Sequence, residues 1–171
     1  MVANDIDAGR SFILAHNTQA LNSPALLITS HNALLFPTLW KKTQKSAKRF
    51  KFDRILCDVP CSCSATLRKQ PDIWRKYRFD TARAIHTLQI GILTRALELL
   101  KEGKKKENLI FQGGRAIYST CSFDVLENEA VLCEVIKRYK EKDKDYEIEI
   151  VDLQKEIPAG LVYSPGFVKC I

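Results

Sequence analysis

The chain has 171 residues, of which 46% are hydrophobic, and carries a net charge of +7 from 27 basic and 20 acidic side chains. That composition is enough for one domain with a packed core and excludes a disordered polyelectrolyte, while the basic excess fits a nucleic-acid partner. No apolar run reaches the ~20 residues of a membrane helix and no signal peptide opens the chain, so its six cysteines are expected to be free thiols in an intracellular, reducing compartment, with no membrane partner.

Residues 1–6 predict a short strand that ends in Asn4-Asp5-Ile6-Asp7. A helix follows to about Leu21, with Phe12, Leu14, Ala15 and Leu21 as its apolar contacts, and Asn22-Ser23-Pro24 stops it. Ala25 to Thr29 is a compact apolar run that predicts a strand buried on both faces, with Ser30-His31-Asn32 at its end. Residues 37–51 read as a linker rich in Lys41, Lys42, Lys45, Lys48, Arg49 and Lys51. Such a run is either a solvated loop or a set of phosphate contacts.

The stretch from Lys51 to Tyr77 opens as a strand through Phe52, Ile55 and Leu56 to Asp58, and Val59-Pro60 breaks it. Cys61 and Cys63 follow the break, then a basic, aromatic segment: Arg68, Lys69, Trp74, Arg75, Lys76, Tyr77 and Arg78. Trp74 and Tyr77 either stack on bases or anchor this loop to the sheet, and anchoring is the preferred reading. Cys57, Cys61 and Cys63 lack the paired C-x₂-C spacing of zinc sites, so no metal is expected.

A long helix capped by Asp80 or Thr81 runs to about Lys101, with Ile85, Leu88, Ile92, Ala96 and Leu99 forming one apolar stripe. Residues 104–113 read as an insertion. Arg115 to Ser119 predicts a strand with Thr120-Cys121-Ser122 at its C-terminal end. Asp124 and Glu127 have the spacing of a capping box, ahead of a helix carried by Leu132, Val135, Ile136 and Tyr139 to about Lys142. Tyr146 to Val151 alternates as one more strand, and Pro158, Gly160, Pro165 and Gly166 mark an irregular tail.

Alternating strands and helices predict an α/β domain with a mostly parallel sheet. Asp5, Asn32, Asp58, Cys61 and Cys121 all fall at C-terminal ends of strands, where open α/β sheets bind ligands. Two thiols and a carboxylate in one crevice suit covalent addition followed by proton removal. Each cysteine taken alone reads more readily as a small core residue, as most free cysteines are.

FDRILCDVPCS (52–62) together with IYSTCS (117–122) resembles the two cysteine motifs of the Nop/Sun family of RNA cytosine-5 methyltransferases, most closely the eukaryotic tRNA branch. The likeness extends through ANDIDAGR (3–10), SPALLIT (23–29), LRKQPDIWRKY (67–77) and the Leu-Gln pair at 88–89. The resemblance implies a Rossmann-like class I methyltransferase fold, using S-adenosylmethionine as cofactor and RNA, of the tRNA class, as substrate, in the nucleus or cytoplasm. Carried onto this chain, Cys121 attacks C6 of the target cytosine, Cys61 assists removal of the C5 proton, and Asp58 holds the cytosine edge near the cofactor. Asp5 receives the cofactor ribose with Arg10 bracing it, and Asn32 stands at the adenine-binding position, where the family usually has Asp. The family's Pro-Cys-Ser-Gly-x-Gly-Thr appears as Pro60-Cys61-Ser62-Cys63-Ser64-Ala65-Thr66, so Cys63 and Ala65 replace glycines. The resemblance places the family's glycine-rich cofactor loop before residue 1 and leaves the last strands missing, so that residues 1–171 are a truncated, partial catalytic domain. Two alternatives stand beside this: a catalytically inactive RNA-binding remnant, and a DNA cytosine-5 methyltransferase in which the Pro-Cys cysteine is the nucleophile, which the Thr-Cys motif disfavours.

Overall fold

The computed structural model describes residues 1–43, 46–106, 109–111, 113–142, 147–152, 158, 160–164 and 166. Two compact units divide the chain, one of residues 1–57 and 94–117 and one of residues 58–93 and 118–171. None of the helices among the described residues is long and apolar enough to cross a membrane.

In the first unit, β1 (Val2–Asn4) and β2 (Leu27–Thr29) pair in parallel, with Asn4 opposite Thr29. Helix α1 (Ala8–Thr18) is the crossover a parallel pair requires. Asp7 caps it by accepting the Arg10 amide at 2.9 Å. Ser11, Leu14 and Thr18 lie on the less exposed side of the helix. Ser11 is buried, while Phe12 is 76% and Leu21 66% exposed and Ala15 is exposed too, so of the expected apolar contacts of α1 only Leu14 turns inward. A 3₁₀ turn, Gln19–Leu21, ends at Asn22, whose left-handed backbone (φ 39°) stops the helix. Strand β2 has one strand neighbour, and Leu27 is exposed, so it is not buried on both faces as its apolar run predicted.

The expected linker contains a hairpin instead. β3 (Trp40–Lys42) and β4 (Ala47–Arg49) pair antiparallel, with Lys41 directly opposite Lys48. All six residues are exposed, so no period-2 burial pattern marks them in the sequence. β5 (Arg54–Asp58) pairs with β8 (Arg115–Ser119). The Arg115 amide donates to the Asp53 carbonyl and the Val59 amide to the Ser119 carbonyl; residue numbers rise together along both strands, the sense of a parallel pair. At the start of β8, a Cβ on Gly114 would lie 2.5 Å from Leu100 Cγ, so only glycine fits that approach. β6 (Lys104–Lys106) and β7 (Leu109–Phe111) form a second antiparallel hairpin where an insertion was expected.

Helix α3 (Phe79–Leu99) connects β5 to β8. Its stripe is as expected at Ile92, Ala96 and Leu99, which are buried, but it begins at Phe79, so Asp80 and Thr81 lie in its first turn and not at its cap. In the second unit Val59, then Ala82, Ile90, Ile92 and Leu93 of α3, and Val131, Val135 and Ile136 of α4 (Glu129–Lys142) are buried. Removing these side chains from water drives the unit's folding. The one-turn helix α2 (Ile73–Lys76) carries Trp74, which is 79% exposed. Trp74 therefore does not anchor the loop; Tyr77 does, donating its hydroxyl to Asp124 at 2.9 Å. Residues 147–152 hold no strand, and Tyr146 lies outside the described residues.

Candidate active site

The second unit gathers two loops. One follows β5 and holds Cys61, Ser62, Cys63 and Ser64; the other follows β8 and holds Cys121 and Ser122. The Sγ atoms of Cys61 and Cys121 are 3.1 Å apart although the residues are separated by 60 positions. The Cys121 amide also donates to Cys61 Sγ at 3.3 Å. All three thiols, Cys61, Cys63 and Cys121, are half-buried.

Glu127 joins the loops. It is fully buried at the end of a 3₁₀ turn, Val125–Glu127. Its carboxyl group accepts the Ser62 amide at 2.7 Å, the hydroxyls of Ser62 and Ser122, and Gln89 Nε2 at 3.3 Å. Ser64 adds a hydroxyl contact to Ser122 at 3.0 Å and accepts the Phe123 amide at 2.9 Å. Burying a carboxyl group is costly unless its lone pairs are filled, and here four donors fill them. The capping box expected from Asp124 and Glu127 does not form. Asp124 caps the turn by accepting the Leu126 amide at 2.9 Å, while Glu127 turns inward to the cysteine loops. Gln89, also fully buried, donates to the Pro60 carbonyl at 2.9 Å and so fixes the residue just before Cys61.

Cys63 adopts the left-handed conformation, φ 59° and ψ 23°. For a residue with a Cβ this costs about 1–2 kcal/mol. The turn is held by the hydroxyl and amide of Thr66, which donate to the Cys63 carbonyl at 2.8 and 2.9 Å. Cys63 thus holds the backbone conformation that glycine adopts most easily, at the position where the family resemblance expects glycine.

Electrostatics separate the thiols. Burial pushes the Cys61 thiol up, and its hydrogen bond with Cys121 pushes it further in the same direction. Burial also raises Cys121, but there the hydrogen bond with Cys61 acts downward. For Cys63 the hydrogen bond with Cys121 lowers the value, and burial, the charge on Cys61 and that on Glu127 outweigh it. Cys57, buried in β5, is pushed up to about 11 by desolvation.

Asp58 ends β5 and accepts the Ser119 hydroxyl at 3.4 Å. Asp5, Arg10 and Asn32 belong to the first unit. There Asn4 ties the two strand ends together, donating to the His31 carbonyl at 2.9 Å and accepting the His31 amide at 3.0 Å. Asp5 accepts the Asp7 amide at 2.9 Å and pairs with Arg10 Nε at 3.2 Å. Asn32 caps a 3₁₀ turn, Ala33–Leu35, by accepting the Leu34 amide at 3.0 Å.

The family described as 16S rRNA methyltransferase RsmB/F matches residues 1–161. The chain belongs to this family. Similar members include the Drosophila melanogaster tRNA (cytosine(34)-C(5))-methyltransferase, 44% identical over 97% of this chain, and the Saccharomyces cerevisiae multisite-specific tRNA:(cytosine-C(5))-methyltransferase, 39% identical over 99% of it. The chain spans only 20% and 23% of those two proteins. Among solved structures, that of PH0851 superposes with a TM-score of 0.68 at 23% identity, over 98% of this chain and 31% of that one. A methyltransferase homolog protein from Pyrococcus horikoshii superposes at 0.56 with 26% identity, over 80% and 36%. Both likenesses support the α/β fold. Within this RsmB/F chain, sequence reasoning located both cysteines but gave Glu127 only a capping role and Gln89 only a place in the family likeness, whereas both are buried polar side chains behind the cysteine loops. The signal available for Gln89 was its place beside Leu88 on the apolar side of α3.

Proposed function

We propose that this chain carries part of the catalytic domain of an S-adenosylmethionine-dependent RNA cytosine-5 methyltransferase acting on tRNA, in the nucleus or cytoplasm. The observation that carries the reading is the Cys61–Cys121 sulfur pair at the ends of two parallel strands. The tRNA assignment rests on the substrates named for the fly and yeast relatives.

The residues present fit the cofactor in part. Asp5 uses two of its roughly four acceptor positions on the Asp7 amide and Arg10, which leaves capacity for a ribose diol at a strand end. Asn32 is committed to its cap through Oδ1 and brings no charge to the adenine position. When bound, S-adenosylmethionine supplies an electrophilic methyl group.

The chain's own part of the chemistry begins with Cys121. Cys121, in the Thr-Cys motif that follows β8, is assigned the attack that forms the S–C6 bond and places the electron pair at C5. After C5 is methylated, its proton must leave so that the S–C6 bond can break and the thiolate depart. Cys61 is assigned that proton, because its sulfur lies 3.1 Å from that of Cys121 and a thiolate there can act as a base. Asp58 is assigned the cytosine edge. A duplex base must be flipped, or the strand single, for C6 to be reached. The β3–β4 hairpin supports an RNA partner. It sets Lys41 against Lys48, an arrangement that is unfavourable without an anion, and lays Arg49 over Trp40 at 5.7 Å.

The test uses denaturing gels of a full-length protein carrying this sequence with a cytosine-containing tRNA. Cys61→Ala is expected to accumulate a covalent RNA adduct and Cys121→Ala to form none. The reverse pattern reassigns the nucleophile to Cys61, and no adduct from either variant supports the inactive RNA-binding remnant.

A further inference from the structure

We infer that Cys61, Cys63 and Cys121 form a three-thiolate binding site for a thiophilic divalent cation of the zinc class, with an open fourth position. The three Sγ atoms all lie within 4.8 Å of one another and every one is half-buried. A Zn–S bond of about 2.3 Å at tetrahedral angles sets sulfurs about 3.8 Å apart, so no pair in the triad has to move by more than ~1 Å to reach that geometry. The cation sits where the shared hydrogen bonds now hold the sulfurs together. Each thiol that coordinates releases its proton to solvent, and a water molecule completes the shell.

Sequence spacing hid this site, because Cys61 and Cys63 are one residue apart and the third ligand arrives from another loop. The surroundings are those of a metal thiolate. The Cys121 amide already donates to Cys61 Sγ at 3.3 Å, the outer-shell contact that stabilises bound sulfur. Thiolate ligands favour zinc and other soft cations over magnesium or calcium. Thr66 holds the left-handed turn that carries Cys63, so that ligand is supplied by a braced backbone. Occupancy ties up both sulfurs of the proposed methyl transfer; that consequence rests on the proposed function, whereas metal binding does not.

The experiment titrates the reduced, metal-free chain with Zn²⁺ against a chromophoric chelator, and with Cd²⁺ while following the ultraviolet thiolate charge-transfer band. One equivalent is expected to bind. Cys63→Gly removes the ligand and leaves a residue at ease with the positive φ. It is expected to weaken binding by more than ~100-fold, beyond the 10–100-fold range for loss of an outer-shell partner, and to lower the charge-transfer intensity from three thiolates towards two. Cys63→Ser gives the same loss, and Cys133→Ser on α4 gives none. Circular dichroism checks that each variant is folded. Absence of stoichiometric binding, or equal affinity in the original chain and a folded Cys63→Gly variant, overturns the inference.

Discussion

Glu127→Ala tests the claim that one buried carboxyl group joins the two cysteine loops. The substitution removes the acceptor of four donors. The consequences differ among them. The Ser62 and Ser122 hydroxyls lie 3.2 Å apart and can turn to each other, with Ser64 adding a further partner. Gln89 Nε2 keeps the Pro60 carbonyl. The Ser62 amide has no such alternative, and a buried donor left unpaired costs about 1–3 kcal/mol. The void left by the carboxyl group and the loosened loop add a further loss, for about 3 kcal/mol in all. With a urea dependence of about 2 kcal/mol per molar, the unfolding midpoint falls by ~1.5 M. Equilibrium unfolding followed by circular dichroism reads this directly. Glu127→Gln, which keeps an oxygen for the Ser62 amide and sets an NH₂ group beside hydroxyls that can accept, loses about 1 kcal/mol. A midpoint shift below ~0.3 M for Glu127→Ala refutes the joining role.

Asp5→Ala is expected to weaken S-adenosylmethionine binding at least about tenfold in calorimetry on a full-length protein carrying this sequence, the size of a lost charge-assisted hydrogen bond; unchanged affinity removes Asp5 from the ribose site. Replacing Lys41 and Lys48 by Ala lowers the slope of log affinity for single-stranded RNA against log salt by about 1.4, two phosphate contacts' worth, and an unchanged slope leaves the hairpin a solvated surface. Cys57, normally near 9 and raised to about 11, stays protonated longer in the folded chain than in the unfolded one. Its contribution is therefore full below pH 9 and lost as pH rises towards 11, a difference of ~2 kcal/mol. Comparison of unfolding free energies with Cys57→Ala across that window checks the sign, and parallel curves contradict it.

Periodicity made α3 and α4 legible, because each buries one apolar face, while β5 and β8 were legible as short apolar runs bounded by breaks. Alternation at strand ends also placed Cys61 and Cys121 on the same kind of sheet edge. The pairing of their sulfurs, by contrast, depends on Glu127, and local spacing pointed that residue to the wrong partner. Asp-x-x-Glu ahead of a helix reads as a cap; only the tertiary fold brings the Ser62 amide, 65 positions away, to compete for the carboxyl group. The β3–β4 hairpin was hidden for the opposite reason: a strand exposed on both faces carries no hydrophobic period. In α1 the apolar residues were visible, but most of them fall on the exposed side, and the pattern did not show which face the fold would cover.

The 60 residues between Cys61 and Cys121 also set a timetable for the newly made chain. At roughly 5–20 residues per second, Cys61 and Cys63 are synthesised roughly 3–12 s before Cys121 exists. During that interval both nucleophilic side chains lack the partner that will share their proton, and the loop cannot close onto a strand still to be synthesised. The thiols thus report on folding: their shielding from a small alkylating reagent is acquired only when β8 docks beside β5, a long-range closure that belongs to the last steps of assembly.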